Sequence, residues 1–313
     1  MIYGSDIISS LYDKIHCEDI SASSHWRLWH EQLKVGADMK LISANGFGDG
    51  RVLQTPFMRA AHDFLQKRFV KKIEPTENFY RLKGLALAKC KQNNIRFSLD
   101  TLRQVLTLTH LMDTSLAKFK SKTSIVIGDG YGALSHLLLA SGFSRKVVLI
   151  SLTKTLFADA SQLLNCDELN NPRAISLVDN IVDMRNAMKD PEIKVVLVEA
   201  KYSSILHESG ADIAFSIAAM QEMNYLDIHK YFDQMRLLAS DGDFTFYCCS
   251  REAKTLPDGQ IIQFEKYPWN KNDSVLFDEA CPWHDKYYRS IIPIYFNYDG
   301  VHRHRLTKMS PNQ

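Results

Sequence analysis

Apolar residues recur at helical spacing through the first third of the chain and in short strand-like runs through the rest. Phe57 to Val70 carries them at Phe57, Ala60, Ala61, Phe64, Leu65 and Phe69, and Asn78 to Cys90 at Phe79, Leu82, Leu85, Ala86 and Leu87. Leu102 to Phe119 repeats the pattern at Leu102, Val105, Leu106, Met112, Leu116 and Phe119, with Thr109 breaking the stripe. Each spacing predicts an amphipathic helix with one face to bury. Ser98 and Asp100 offer N-cap side chains for the third. Residues 1–120 are therefore expected to form a helical N-terminal cap, with Trp26, Trp29, His25 and His30 packing inside it.

From residue 121 the pattern changes to strands alternating with helices. Strands are predicted at Ser124–Ile127, Lys146–Ser151, Val195–Glu199, Asp212–Ile217 and Asp243–Cys249, and helices at Ala133–Ser141, Thr155–Leu164, Val182–Lys189 and His229–Ala239. Such alternation predicts βαβ units, hence an α/β fold with a doubly wound, mostly parallel sheet over residues 121–313. Ala174–Val178 is a further strand candidate, and either it or Val195–Glu199 is the third core strand. Pro257-Asp258-Gly259 marks a turn between extended pieces, and 291–298 with 302–307 reads as a final hairpin.

The first strand breaks into Gly128-Asp129-Gly130-Tyr131-Gly132 and then into an apolar helical run. Glycines suit a tight turn with φ > 0 and a ligand approaching bare main chain. The spacing G-x-G-x-G is neither the dinucleotide fingerprint nor the phosphate loop, and no Lys-Ser/Thr follows to hold a phosphate and Mg²⁺. It favours a pocket for S-adenosylmethionine over NAD or ATP, with a plain strand-to-helix turn as the alternative reading. Ser43 to Gly50 is a second glycine-rich stretch, read as a surface turn, with a lid as the other option.

Composition narrows the classes. The 313 residues are 45% hydrophobic, enough for a substantial core, and the formal charge of +2 does not announce nucleic acid or membrane as partner. The first ten residues lack the basic and apolar blocks of a signal peptide, and no apolar run approaches the ~18 residues of a membrane span. A cytoplasmic protein is expected. Its six cysteines lack C-x-x-C spacing and read as reduced, mostly buried thiols, with Cys248 and Cys249 pointing to opposite faces of a strand.

In doubly wound sheets ligands bind beyond the C-terminal strand ends. That selects Gly128–Gly132, Ser151-Leu152-Thr153, Glu199-Ala200-Lys201, Ala218–Asn224 and Arg251–Lys254. Several strings in and beyond these loops carry a resemblance: Ile127-Gly128-Asp129-Gly130-Tyr131-Gly132, Gln221-Glu222-Met223-Asn224, Arg251-Glu252-Ala253-Lys254, Leu256-Pro257-Asp258-Gly259, Tyr267-Pro268-Trp269, Cys281-Pro282-Trp283-His284, Tyr288-Arg289, Tyr298-Asp299-Gly300 and His302-Arg303-His304-Arg305-Leu306. In this order they resemble a bacterial sugar O-methyltransferase family with the Rossmann-like class I fold, over roughly residues 121 to 308. The resemblance implies S-adenosylmethionine as cofactor, held by Gly128, Asp129, Gly130, Tyr131, Gly132, Ser151, Leu152 and Glu199, and a sugar or glycan-precursor hydroxyl as acceptor. Two positions depart from the pattern. Val126 and Ser151 stand where such folds usually carry acids, so Asp129 or Glu199 is expected to supply the ribose acceptor.

Methyl transfer to a hydroxyl calls for a base, and Glu222, His284 and His302 are the candidates, with His304 behind them. Glu222 has a second option, orienting an acceptor hydroxyl or the methionine amino group. Arg251, Arg289, Arg303 and Arg305 are suited to fork onto a carboxylate or phosphate, or else to pair with Asp258, Asp278 or Asp285. Trp269 and Trp283 are suited to stack on a sugar ring, or to fill core. Arg251, Trp283, Arg289 and His304 are the expected substrate-binding residues. His302-x-His304 shares one strand face but lacks a third ligand nearby, so no metal is expected. The rival readings are a methyltransferase of another small molecule and a non-catalytic binding or assembly subunit; a homo-oligomer is admitted by either.

Overall fold

The computed structural model describes residues 1–44, 55–289 and 294–312. The N-terminal third contains β1 (Ile2–Tyr3), α1 (Asp6–Tyr12), α2 (Ser24–His30), the ribbon β2 (Leu33–Val35) with β3 (Leu41–Ala44), and the long helices α3 (Pro56–Val70), α4 (Glu77–Gln92) and α5 (Leu99–Asp113). The remainder runs β4 (Ser121–Ile127), α6 (Ala133–Ala140), β5 (Ser144–Ser151), α7 (Thr153–Leu163), β6 (Ile175–Val178), α8 (Ile181–Lys189), β7 (Val195–Glu199), β8 (Ile213–Ile217), α9 (Tyr225–Asp241) and β9 (Phe244–Arg251). It closes with β10 (Ala253–Thr255), β11 (Ile261–Gln263), β12 (Ser274–Ala280), β13 (Lys286–Tyr288), β14 (Tyr295–Asn297) and β15 (His302–Met309).

The three long N-terminal helices form where the apolar spacing places them. Thr55, Thr76 and Ser98 each accept a hydrogen bond from the backbone N–H three residues on, at 3.2, 3.3 and 3.1 Å, a cap worth about 1 kcal/mol. The third helix ends at Asp113, short of the expected Phe119, because Thr114 leaves helical geometry (φ −124°, ψ −105°). Phe119 packs instead on Phe143, ring centroids 5.8 Å apart. Thr109, the break in the stripe, is buried and donates to the Val105 carbonyl at 2.7 Å.

Among the described residues nine strands join in one sheet in the order β1-β6-β7-β5-β4-β8-β9-β15-β12. From β6 to β9 the strands are parallel. β1 runs antiparallel to β6, and β15 runs antiparallel to both β9 and β12. Helices cover both faces, which is the doubly wound α/β arrangement expected. Val195–Glu199 is the strand beside β5, and Ala174–Val178 lies outside it. The 302–307 segment does not hairpin with the preceding extended piece: β14 pairs with β13, while β15 enters the main sheet. Residues 290–293 of that expected hairpin, and 45–50 of the second glycine-rich stretch, lie outside the described residues. Pro257-Asp258-Gly259 does turn the chain between β10 and β11, with Gly259 at φ +87°.

Alternation along the strands divides the interior into two cores. Val126, Leu149, Phe215 and Cys249 face the layer of α1, α4, α5, α6 and α7, whereas Ile125, Ile150, Ala214 and Cys248 face the layer of α8 and α9. The first core joins Leu11, Phe79 and Leu106 of the N-terminal third to the sheet residues, so that third is packed on the sheet, and through β1 it also supplies an edge strand. Of the cysteines only Cys17 is exposed, and all six are free. No helix among the described residues is long and apolar enough to cross a membrane.

Candidate functional site

β4 is flanked by β5 on one side and β8 on the other, so successive connections leave it in opposite directions. A crevice opens where strand order reverses in this way. Here it is a cavity of about 260 Å³ at the C-terminal strand ends. Its floor is the turn after β4. Gly128, Gly130, Tyr131 and Gly132 all take left-handed φ, between 59° and 70°. A Cβ on Gly128 would lie 2.7 Å from the Ala219 Cβ, so the turn and the loop after β8 approach more closely than any side chain permits. Tyr131 adopts φ +61° without glycine's freedom, a conformation that costs of order 1–3 kcal/mol. Its carbonyl accepts from the buried Lys89 ammonium of α4 at 2.7 Å.

The walls come from across the chain. Ser151 ends β5 with Leu152 just after it, and Ala219, Gln221 and Glu222 follow β8. Arg251 ends β9, His302 begins β15, and His284 and Tyr298 arrive from the segments between. Arg103 and Gln104 reach in from α5, and Ser21 and Trp26 from the N-terminal segment.

Charge in this cleft is fixed by neighbours. Glu222 is paired with the Lys254 ammonium at 2.6 Å and with His25 Nε2 at 3.4 Å. Burial opposes its ionisation, but His25 and Lys254 outweigh it and hold the carboxyl down at about 2. The Ser23 hydroxyl donates to the Glu222 carbonyl, tying the N-terminal segment to the same loop. His284 Nδ1 lies 3.2 Å from the Cys281 thiol and 3.6 Å from that of Cys249. These three groups, all buried, form one of two sets among the described residues whose ligand-type atoms gather within 4.8 Å. Burial, followed by the charges of Arg103, His302 and His304, lowers His284 well below the ordinary imidazole value. His302, stacked on it at 5.2 Å, is pushed down to about 3, first by burial and then by Arg251. Both imidazoles are therefore neutral at neutral pH.

No family model matches the chain, and no curated protein sequence matches it. Among solved structures it is similar to the methyltransferase domain of the bacterial protein CtHen1-CN, at 11% identity over 65% of this chain and 96% of that one, TM-score 0.35. It is also similar to the pyocyanin biosynthetic protein PhzM, at 12% identity over 67% and 56%, TM-score 0.39. A third is TrmN from Thermus thermophilus, at 12% identity over 66% and 48%, TM-score 0.35. These likenesses are distant.

Of the expected cofactor residues, Gly128, Asp129, Gly130, Tyr131, Ser151 and Leu152 border the cleft. Gly132 does not: its N–H donates to Asp159 at 2.9 Å and its α-carbon abuts Leu163, where a Cβ would come within 2.6 Å. Asp129 borders the cleft with both oxygens already accepting, from the Leu134 and Ser135 N–H groups at 2.7 Å each, so that it caps α6. Glu199 is likewise engaged, by Lys14 at 2.6 Å, Thr153 at 2.9 Å and Lys201 at 3.0 Å, and it does not line the cleft. Ser151 donates to Thr155 at 2.8 Å and keeps its oxygen lone pairs for an acceptor role.

Among the expected substrate residues only Arg251 borders the cleft. Trp283 is buried in core, its indole N–H donating to Thr107 at 3.0 Å. His304 is fully buried against Trp283, Phe277 and Tyr247. Arg289 is exposed over Tyr287 and Phe296. Arg303 and Arg305 both pair with Asp278, and Trp269 lies beneath the Arg305 guanidinium. Trp26 and His25, read as cap packing, meet the cleft and its carboxylate instead.

Arg103, Gln104 and Tyr298 were not singled out from the sequence. α5 is buried continuously from Leu102 to Thr109, so its polar residues require partners, and the polar pair inside an apolar helical run was the available signal. Tyr298 carried only its place in the Tyr-Asp-Gly string.

Proposed function

We propose that this chain is an S-adenosylmethionine-dependent O-methyltransferase acting on a hydroxyl of a sugar or glycan precursor. The observation that carries the reading is convergence. Arg251, His284, Tyr298 and His302, far apart in sequence and all within the strings that carry the resemblance, meet across one cleft from the glycine turn. A surface loop or a fold kept only for packing gives no reason for that meeting.

The residues present fit the cofactor. Gln104 donates to the Asp129 carbonyl at 2.8 Å while its own carbonyl oxygen is buried beside the turn with no partner, an acceptor suited to an ammonium group. Ser151 supplies a hydroxyl at the end of β5, and Ile150, Leu152 and Tyr231 supply apolar wall for a base. Gly130 leaves the floor bare. When bound, S-adenosylmethionine supplies an electrophilic methyl group on a sulfonium.

The chain's part is to place the acceptor oxygen in line, exclude water and take the hydroxyl proton. Positioning contributes up to about 7–11 kcal/mol and a base about 10²–10⁴-fold. With Nδ1–H donating toward the Cys281 sulfur, His284 keeps the Nε2 lone pair for the proton, and its place on the cleft wall, not its basicity, recommends it for the step. Glu222, ionised, has its oxygens committed to Lys254 and His25, which it orients. This revises the role expected for Glu222.

Calorimetric titration of the full chain with S-adenosylmethionine and S-adenosylhomocysteine tests the reading. Both should bind, and Gly130→Val should abolish binding while a cooperative melt shows the chain still folded. No heat with either ligand overturns the proposal and favours a binding subunit, the reading to which Ser151 at the end of β5 gives support.

A further inference from the structure

The four arginines of the C-terminal block do not share one fate. Arg303 and Arg305 share Asp278, with contacts of 2.7 to 2.9 Å, and pair further with Glu252 and Glu265 at 3.6 and 3.2 Å, while Arg289 lies over the half-buried Tyr287 and Phe296 rings and does not line the cleft. Arg251 differs. Its backbone N–H is fixed by Gln221 Oε1 at 2.7 Å, and its guanidinium carbon lies 5.1 Å from the centre of the Tyr298 ring. Its Nε is buried without a hydrogen-bond partner, and no carboxylate among the described residues pairs with it.

Its neighbours add positive charge. Arg103 lies 5.1 Å from the same Tyr298 ring, held by the carbonyls of Trp283 and Lys286 at 3.1 and 2.7 Å. The acid that pairs with Arg103, Asp100, is 59% exposed and hence well screened. Glu222, a second carboxylate of the cleft wall, is occupied by Lys254 and His25. After burial, Arg251, Arg103 and Lys254 hold His302 down, and Glu222 only partly opposes them. A guanidinium with unengaged donors, flanked by an aromatic plane and a second cation, suits an oxyanion gripped through a planar fork.

We propose that the methyl acceptor carries a carboxylate or phosphate group, seated on Arg251 with Tyr298 alongside and Arg103 adding to the field. The inference rests on the methyl-transfer reading and narrows its acceptor to acidic sugars. A uronate and a sugar phosphate present the same oxyanion chemistry.

Calorimetry of the full chain with D-glucuronate, D-glucose 1-phosphate and D-glucose, each with and without saturating S-adenosylhomocysteine, separates the cases. At least one anion should bind about tenfold or more tightly than glucose, and the preferred one identifies the source. Arg251→Gln should erase that preference, and R251K should keep part of it, because the charge remains and the fork is lost. S-adenosylhomocysteine affinity should be unchanged in both variants, which also reports an intact fold. Equal affinity for the three probes, no binding by any of them, a preference that survives R251Q, or loss of S-adenosylhomocysteine binding in both variants overturns the proposal. Failure of the parent reading is distinct: it shows as no S-adenosylhomocysteine heat in the unaltered chain, while an Arg251-dependent anion preference in the ligand-free protein would leave the anion seat standing.

Discussion

Lys254 and His25 close on Glu222 at 2.6 and 3.4 Å, whereas His284 meets only thiols and other rings. One is thereby a fixed anion and the other a neutral ring. For His284→Ala we expect turnover to fall about 10²-fold or more with S-adenosylhomocysteine affinity retained. For Glu222→Gln the expectation is a loss of about tenfold, as Lys254 loses its partner, with the shape of the pH–rate profile unaltered between pH 4 and 8. Glu222 is ionised throughout that range, since its carboxyl is held at about 2. Steady-state kinetics across pH decides the matter: an acidic limb that disappears in E222Q would return the base role to Glu222.

At the scale of elements, the glycine turn is held by two helices through two buried acids. Asp129 caps α6, and Asp159 of α7 accepts from the Gly132 N–H at 2.9 Å while its second oxygen is buried with no partner. Burial raises both carboxyls, and Asp129 pushes Asp159 further, well above the ordinary value. A carboxyl raised on folding favours the native state below its unfolded value of 3.8, and that contribution is lost as pH rises through the folded value. Asp159→Asn removes the ionisation and keeps an acceptor for Gly132. We expect a higher melting temperature for D159N at pH 8, with the advantage shrinking toward pH 4; a melting curve lower than that of the unaltered chain at pH 8 would refute this account. The turn itself was legible from glycine spacing and the apolar runs either side of it. The fate of Gly132 was not, because it depends on Leu163 and Asp159 from the next helix, and no local pattern encodes that approach.

Three histidines spread over the molecule, His30, His302 and His304, are buried neutral. His302 is pushed down to about 3, and His30 and His304 to about 4, in each case chiefly by burial. The unfolded chain protonates these rings below 6.5 and the folded chain does not, so native stability falls as pH drops from 6.5 toward 4. Each ring adds about 1.4 kcal/mol per pH unit to that slope. Glu222, with its lowered carboxyl, works in the same direction below 4.5. Denaturant midpoints measured at pH 7 and pH 5 should therefore differ steeply, and His304→Gln should flatten the slope by about one ring's share. A slope unchanged in that variant would mean that His304 titrates normally in the folded chain.

Strand and helix positions followed from periodicity, and the cleft's place followed from strand order. Which residues of the C-terminal strings reach the cleft did not follow. Arg303 and Arg305 are decided by Asp278 on β12, Trp283 by Thr107 on α5, and both partners are distant in sequence. The same holds for the N-terminal third, whose Trp26 and His25 are drawn to the cleft by contacts formed only after the sheet is assembled.

β15 is aligned with β9 over eight consecutive rungs, from His302 opposite Arg251 to Met309 opposite Phe244. Side chains alternate along it, His302 and His304 to one side and Arg303 and Arg305 to the other. Displacing the strand by a single residue would drive two guanidiniums into the apolar layer that holds Trp283 and Tyr247, strip them of Asp278 and turn the imidazoles away from the cleft. That cost makes the pairing act as an index for the chemistry at its upper end: the ring presented to a ligand is chosen by a ladder of main-chain bonds extending far below it.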